Sequence, residues 1–147
     1  MKKRIPVLIS MAVHVLLLLA CIGILLACLG TFESPPEMEY GEDGINYGGL
    51  VLAFLLMFGV AFSFGGAACM AGLLLFEILD LILWKKGFAV VSMIGDLALT
   101  FAAGAMCVSF TLDWIRSGEG RLVPLLSALL LVLTGGALVS NMVRLSK

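Results

Sequence analysis

Apolar residues run almost unbroken through four stretches of the chain, residues 5–29, 50–84, 88–112 and 122–143, with short polar segments between them. A helix crossing a bilayer needs about 20 mostly apolar residues at a rise of about 1.5 Å each. The pattern therefore predicts four membrane-spanning helices. Pro6 and Pro124 fall in the first turns of the first and fourth, where a missing amide proton costs nothing.

The second stretch is too long for one perpendicular crossing. As a helix, residues 50–84 would measure roughly 52 Å against a hydrocarbon core of about 30 Å. One tilted helix, spanning over 50–76 with a helical extension to 84 and bent near Gly65-Gly66, fits better than two short segments with a re-entrant break. Residues 50–64 are too short to span alone, and a break exposed to lipid would leave backbone groups unpaired.

The linkers differ in kind. Residues 30–49 form a polar loop with Pro35-Pro36, several glycines and the acids Glu33, Glu37, Glu39, Glu42 and Asp43. The linkers around Lys85-Lys86-Gly87 and Asp113–Arg121 are short, and short links make antiparallel neighbours. The expected fold is an all-α, integral membrane four-helix bundle of antiparallel up-down topology, a single domain over residues 1–147.

Charge sets the direction. In this arrangement Lys2, Lys3, Arg4, Lys85, Lys86, Arg144 and Lys147 fall on one side, and Arg116 and Arg121 on the other. Basic residues concentrate on the cytoplasmic side, so both termini are expected there and the 30–49 loop outside. Trp84 at the inner boundary, with Tyr47 and Trp114 at the outer one, fits the preference of amphipathic rings for interfaces. A bacterial plasma (inner) membrane is the expected location.

Composition agrees with lipid as the solvent. Of 147 residues, 62% are hydrophobic and 13% charged, against about 45–50% and about 25% in soluble domains. A soluble core of this size could not hide so much apolar surface. Beyond Lys2-Lys3-Arg4 there is no basic cluster, which argues against nucleic acid as a partner. Lys2-Lys3-Arg4 followed by an apolar run resembles a signal peptide, but the run is too long for one. Leu18-Leu19-Ala20-Cys21 and Leu25-Leu26-Ala27-Cys28 loosely match a lipoprotein box, and their duplication reads as ordinary leucine-rich helix.

Helices in lipid associate through small residues and hydrogen bonds. Gly65, Gly66, Ala68, Gly72, Gly104, Gly135 and Gly136 are the expected packing positions. Phe54, Phe58 and Phe62, four apart, read as a lipid-facing or packing stripe. Cys21, Cys28, Cys69 and Cys107 lie in apolar stretches without a CxxC pair, and Cys28 and Cys107 both fall near the outer edge, where a disulfide could join them.

Possible chemistry rests on an intramembrane polar cluster: His14, Glu77, Asp80, Asp96 and Asn141. Counted from the inner side, His14 and Asp96 lie at similar depths, roughly 12–14 Å, so they can meet. Ser10, His14, Cys21 and Cys28 share one face of the first helix, and Asp96, Thr100, Gly104 and Cys107 one face of the third. Inserting Asp96 costs about 2.5–3.5 kcal/mol, which apolar neighbours offset at roughly 0.3–0.6 kcal/mol each. The acid should face inward, protonated or paired with His14. Glu77 and Asp80 are expected near the headgroups. One histidine is a poor metal site, so neither metal nor cofactor is expected.

These features suggest a non-catalytic membrane subunit or interaction scaffold, embedded in the lipid bilayer and partnered by another membrane protein or by its own copies. The alternative is a small proton- or cation-coupled transporter or channel using an intramembrane carboxylate. An enzyme ranks last, for want of a nucleophile or metal constellation.

Overall fold

The computed structural model describes residues 5–33, 47–83, 86–118 and 120–146, and these hold four helices: α1 (Ile5–Glu33), α2 (Tyr47–Leu83), α3 (Lys86–Ser117) and α4 (Leu122–Leu145). All four are long and apolar enough to cross a membrane. α1 and α3 run further than hydropathy suggested, because polar residues at a span's end can stay helical once they reach water or headgroups. α2 is continuous through Gly65-Gly66, which removes the re-entrant alternative. Its 37 residues would extend about 55 Å. Most of the 30–49 loop, Trp84, Lys85, Lys2, Lys3, Arg4 and Lys147 lie outside the described residues.

The turn between α3 and α4 has a clear cause. Gly118 and Gly120 adopt φ of 74° and 75°, a left-handed conformation open to glycine without a Cβ clash. The Gly118 amide donates to Trp114 O at 2.8 Å, closing α3, and the Val123 amide donates to Gly120 O at 3.1 Å, opening α4. Hydroxyls inside the helices turn back on their own backbone. Thr134 Oγ1 donates to Leu130 O at 3.0 Å and Ser127 Oγ to Pro124 O at 2.9 Å. Neither leaves a buried donor idle.

By internal contacts the chain divides into two compact units. One comprises residues 15–71, the later part of α1 and the earlier part of α2. Two cysteines meet glycines there. A Cβ placed on Gly59 would stand 2.8 Å from Cys28 Sγ, and one on Gly66 would stand 3.0 Å from Cys21 Sγ. Phe58 and Phe62 stack with centroids 6.5 Å apart and point outward with Phe54.

The other unit comprises residues 1–14 and 72–147, so every helix contributes to it. α3 packs along α4; Asp96 meets Asn141 at one level and Gly104 approaches Leu131 at another. α2 meets α3 where Gly95 leaves room for the Leu73 side chain and where Phe76 and Phe88 lie 6.3 Å apart.

Burial is inverted relative to a water-soluble protein. Among the described residues, buried side chains include Ser10, His14, Glu77, Asp80, Ser92, Asp96, Thr134 and Asn141, whereas Leu8, Leu19, Leu55, Phe62, Phe101 and Val132 are exposed. In water such a surface would be strongly unfavourable at about 25 cal/mol per Å². In hydrocarbon it is the low-energy arrangement, because polar groups there must find partners inside the protein. Four helices long and apolar enough to cross a membrane point to an integral membrane protein.

Candidate functional site

The interior face of each helix brings one part of a polar cluster, all of it within the unit of residues 1–14 and 72–147. α1 supplies Ser10 and His14, one turn apart and so on one face. α2 supplies Glu77 and Asp80, α3 supplies Ser92 and Asp96, and α4 supplies Asn141 and Arg144, again at helical spacing. Ser10, His14, Glu77, Asp80, Ser92, Asp96 and Asn141 are each at most 2% exposed.

His14 stands at the centre. Its Nε2 lies 2.8 Å from Asp96 Oδ1, and its Nδ1 lies 3.0 Å from Glu77 Oε2. The first contact has hydrogen-bond geometry; the second is an ion-pair distance with poorer alignment. The other carboxylate oxygens are held too. Ser10 Oγ donates to Glu77 Oε1. Asn141 Nδ2 donates to Asp96 Oδ2 at 2.7 Å and to Ser10 Oγ at 3.1 Å. The five side chains thus close a ring: Ser10, Glu77, His14, Asp96, Asn141 and back to Ser10. A further contact joins the next turn of α2 to that of α4, where Arg144 pairs with Asp80 Oδ2. The Arg144 charge also lies within electrostatic reach of Glu77.

Proton counting constrains this arrangement. An ionised carboxylate only accepts, so each ring nitrogen of His14 that faces one must share a proton with it. Two such contacts call for two protons, and neutral imidazole supplies one. A doubly protonated ring answers both contacts, Nε2 toward Asp96 and Nδ1 toward Glu77. With His14 doubly protonated, three carboxylates (Glu77, Asp80, Asp96) face two cations (His14, Arg144), leaving one net negative charge in the core. Buried charges cost several kcal/mol each unless paired and hydrogen-bonded; here pairing and the Ser10 and Asn141 bonds supply that compensation.

Two buried polar atoms have no partner among the described residues: Asp80 Oδ1 and Ser92 Oγ. No described group of His, Cys, Asp and Glu has metal-binding geometry. The carboxylates approach His14 from opposite ring nitrogens and do not converge on a shared point.

Equal depth in the sequence put His14 beside Asp96, and the two are in contact. Glu77 and Asp80, expected near headgroups, turn inward and are buried. Asn141 joins Asp96 to Ser10. Sequence reasoning gave Arg144 only a topological role and did not select Ser92. Helical spacing was the available signal, because Ser92 is one turn before Asp96 and Arg144 one turn after Asn141.

The packing glycines fall differently. Gly66 makes a tight approach and Gly104 an ordinary one, but Gly65, Gly72, Gly135 and Gly136 have open space where a Cβ would stand, and Ala68 is exposed. The closest approaches within the units are at Gly59 and Gly95, which small-residue spacing did not single out. All four cysteines are free thiols, so Cys28 and Cys107 form no disulfide.

Comparison of the chain with protein-family models, with curated proteins and with solved structures finds no match to any of them.

Proposed function

We propose that this chain is a small proton-coupled membrane carrier or channel, not an enzyme, whose coupling site is the Glu77–His14–Asp96 line. The observation that carries this reading is the imidazole held between two buried carboxylates, an arrangement that calls for one proton more than a neutral ring supplies. An ionisable group inside a membrane is costly, and one that faces a shared interior commonly marks an ion or proton path. From sequence only His14 and Asp96 lay deep, with Glu77 and Asp80 expected near the headgroups. Burial of Glu77 and Asp80 beside them supports a site of several charges. A proton is the ion that suits this arrangement, because Asp96 Oδ1 and Glu77 Oε2 each face a ring nitrogen of His14 while Asn141 and Ser10 donate to the other two carboxylate oxygens.

The up-down topology belongs to the same proposal. Asp96 opposite Asn141 and Gly104 opposite Leu131 run in opposite senses along α3 and α4. Cys21 opposite Gly66 and Cys28 opposite Gly59 do the same along α1 and α2. In the four-span reading seven of the nine basic residues fall on one side, which supports cytoplasmic termini and a bacterial plasma membrane as the location.

The test is flux. The full chain is reconstituted into vesicles carrying a pH-sensitive dye, and a pH gradient is imposed with counter-ion leak supplied. Wild type should dissipate the gradient faster than empty vesicles, and Asp96→Asn should slow it at least tenfold. Wild-type vesicles that hold the gradient as well as empty ones would refute the reading, as would an Asp96→Asn variant that conducts normally.

A second reading, a non-catalytic membrane subunit, is favoured by the outward faces at Gly65, Ala68 and Gly136, where a helix of another membrane protein or of a second copy could pack closely. In that case the polar ring serves as a clasp between helices. A stoichiometric partner retained through gentle purification, together with absence of flux, would favour it.

A further inference from the structure

Asp80 and Ser92 stand outside the closed ring, yet both are buried and each carries an oxygen without a hydrogen-bond partner among the described residues. A buried acceptor or hydroxyl left this way costs about 1–3 kcal/mol, so its presence calls for a use. Their position suggests one. From Glu77 to Asp80, from Asp96 to Ser92 and from Asn141 to Arg144 is in each case one helical turn, and in antiparallel neighbours all three steps lead the same way. Asp80, Ser92 and Arg144 thus make a second polar layer against the first. Its lowest-cost exit is Arg144, whose side chain is 10% exposed while that of its partner Asp80 is 3% exposed.

We propose that this layer is the proton entrance: Asp80 Oδ1 and Ser92 Oγ bind a proton, carried as hydronium or handed on through a bridging water, and relay it between the rim at Arg144 and the Glu77–His14–Asp96 line. This rests on the reading of that line as a proton site. The chemistry fits the atoms. Asp80 Oδ1 accepts a proton without giving up its Oδ2 contact to Arg144. A serine hydroxyl both donates and accepts, so Ser92 can pass a proton in either direction. The core's net negative charge draws a cation inward, and Arg144 beside Asp80 disfavours a metal ion resting there. The cluster holds Ser10 beside His14 on α1, Glu77 and Asp80 on α2, Asp96 on α3, and Asn141 with Arg144 on α4, and of these Glu77 and Asp96 touch the imidazole. Asp80 and Arg144 are those at the end of the cluster away from the ring. No bond other than those to the moving proton forms or breaks, and no oxidant or co-reactant is required.

His14 is the sole histidine of the chain, so its imidazole N–H can be observed without ambiguity. The full chain, labelled with ¹⁵N-histidine in lipid nanodiscs, is examined for exchange of that N–H with water. Ser92→Ala, a small change that should fold, is expected to slow exchange at least tenfold while leaving the ¹⁵N shifts in place. Asp80→Asn should slow it too. Thr134→Val, a buried hydroxyl bonded to its own helix, should exchange as wild type does. Unchanged exchange in Ser92→Ala would overturn the inference, as would equal slowing in Thr134→Val. The outcomes separate from those of the function reading: absent flux refutes the carrier, whereas the exchange comparison reports the route whether or not protons cross the membrane.

Discussion

Asn141 shows how much a single side chain carries in a dry interior. Its amide nitrogen ties Asp96 to Ser10, and Asn141→Leu would leave both without that donor. Loss of stability of about 1–3 kcal/mol per unsatisfied group is expected, read as a lower midpoint of thermal unfolding in detergent. Arg144→Gln should cost more, about 3–5 kcal/mol, because it strands the Asp80 charge beside Glu77. An Arg144→Gln variant as stable as wild type would show that Asp80 is not ionised. At this scale the sequence was partly legible. Charged and amide residues in apolar runs stand out, so His14, Glu77, Asp80, Asp96 and Asn141 could be picked by eye. Ser92 was not picked, because serine is common in membrane helices and its place one turn before Asp96 gains weight only from its burial and orphaned hydroxyl. The Glu77 contact to the second ring nitrogen was also hidden. It depends on the rotation of α2 about its axis, which an apolar helix without a clear polar face does not reveal.

Helix existence was easy to read and helix packing was not. Length and apolarity announce a span because the bilayer sets both. Close approach depends on which glycine faces which side chain, and glycine is frequent on both faces of these helices. Gly95 and Gly59 are the decisive cases. Gly95→Ala would overlap the Leu73 side chain, and overpacking of this kind costs about 1–3 kcal/mol. Gly59→Ala would press on Cys28 Sγ. The double variant Gly59→Ala with Cys28→Ala should recover most of the stability lost in Gly59→Ala alone. Gly72→Ala and Gly135→Ala, with open space around them, should be close to neutral or slightly stabilising through helix propensity. Equal losses at all four glycines, in the same unfolding assay, would mean that the packing described here is not that of the protein in its membrane.

For the whole molecule the inverted distribution of polarity is the governing fact, and it joins topology to mechanism. If lipid surrounds the helices, the polar side chains have only one another, and a proton held among them can move only along the interior. The topology has its own check. In a chain stripped of native cysteines, Glu39→Cys and Lys85→Cys should react with a membrane-impermeant maleimide from opposite sides; reaction from the same side would break the four-span arrangement. The central claim, that His14 is clamped between two acids and shares a proton with each, is tested most directly by the ¹⁵N spectrum of that single histidine in lipid at neutral pH. Both ring nitrogens should appear protonated, Nε2 in a strong hydrogen bond to Asp96 and Nδ1 in a weaker one to Glu77, and Asp96→Asn should weaken the bond at Nε2. A neutral ring with one bare nitrogen and a spectrum indifferent to Asp96→Asn would contradict the account.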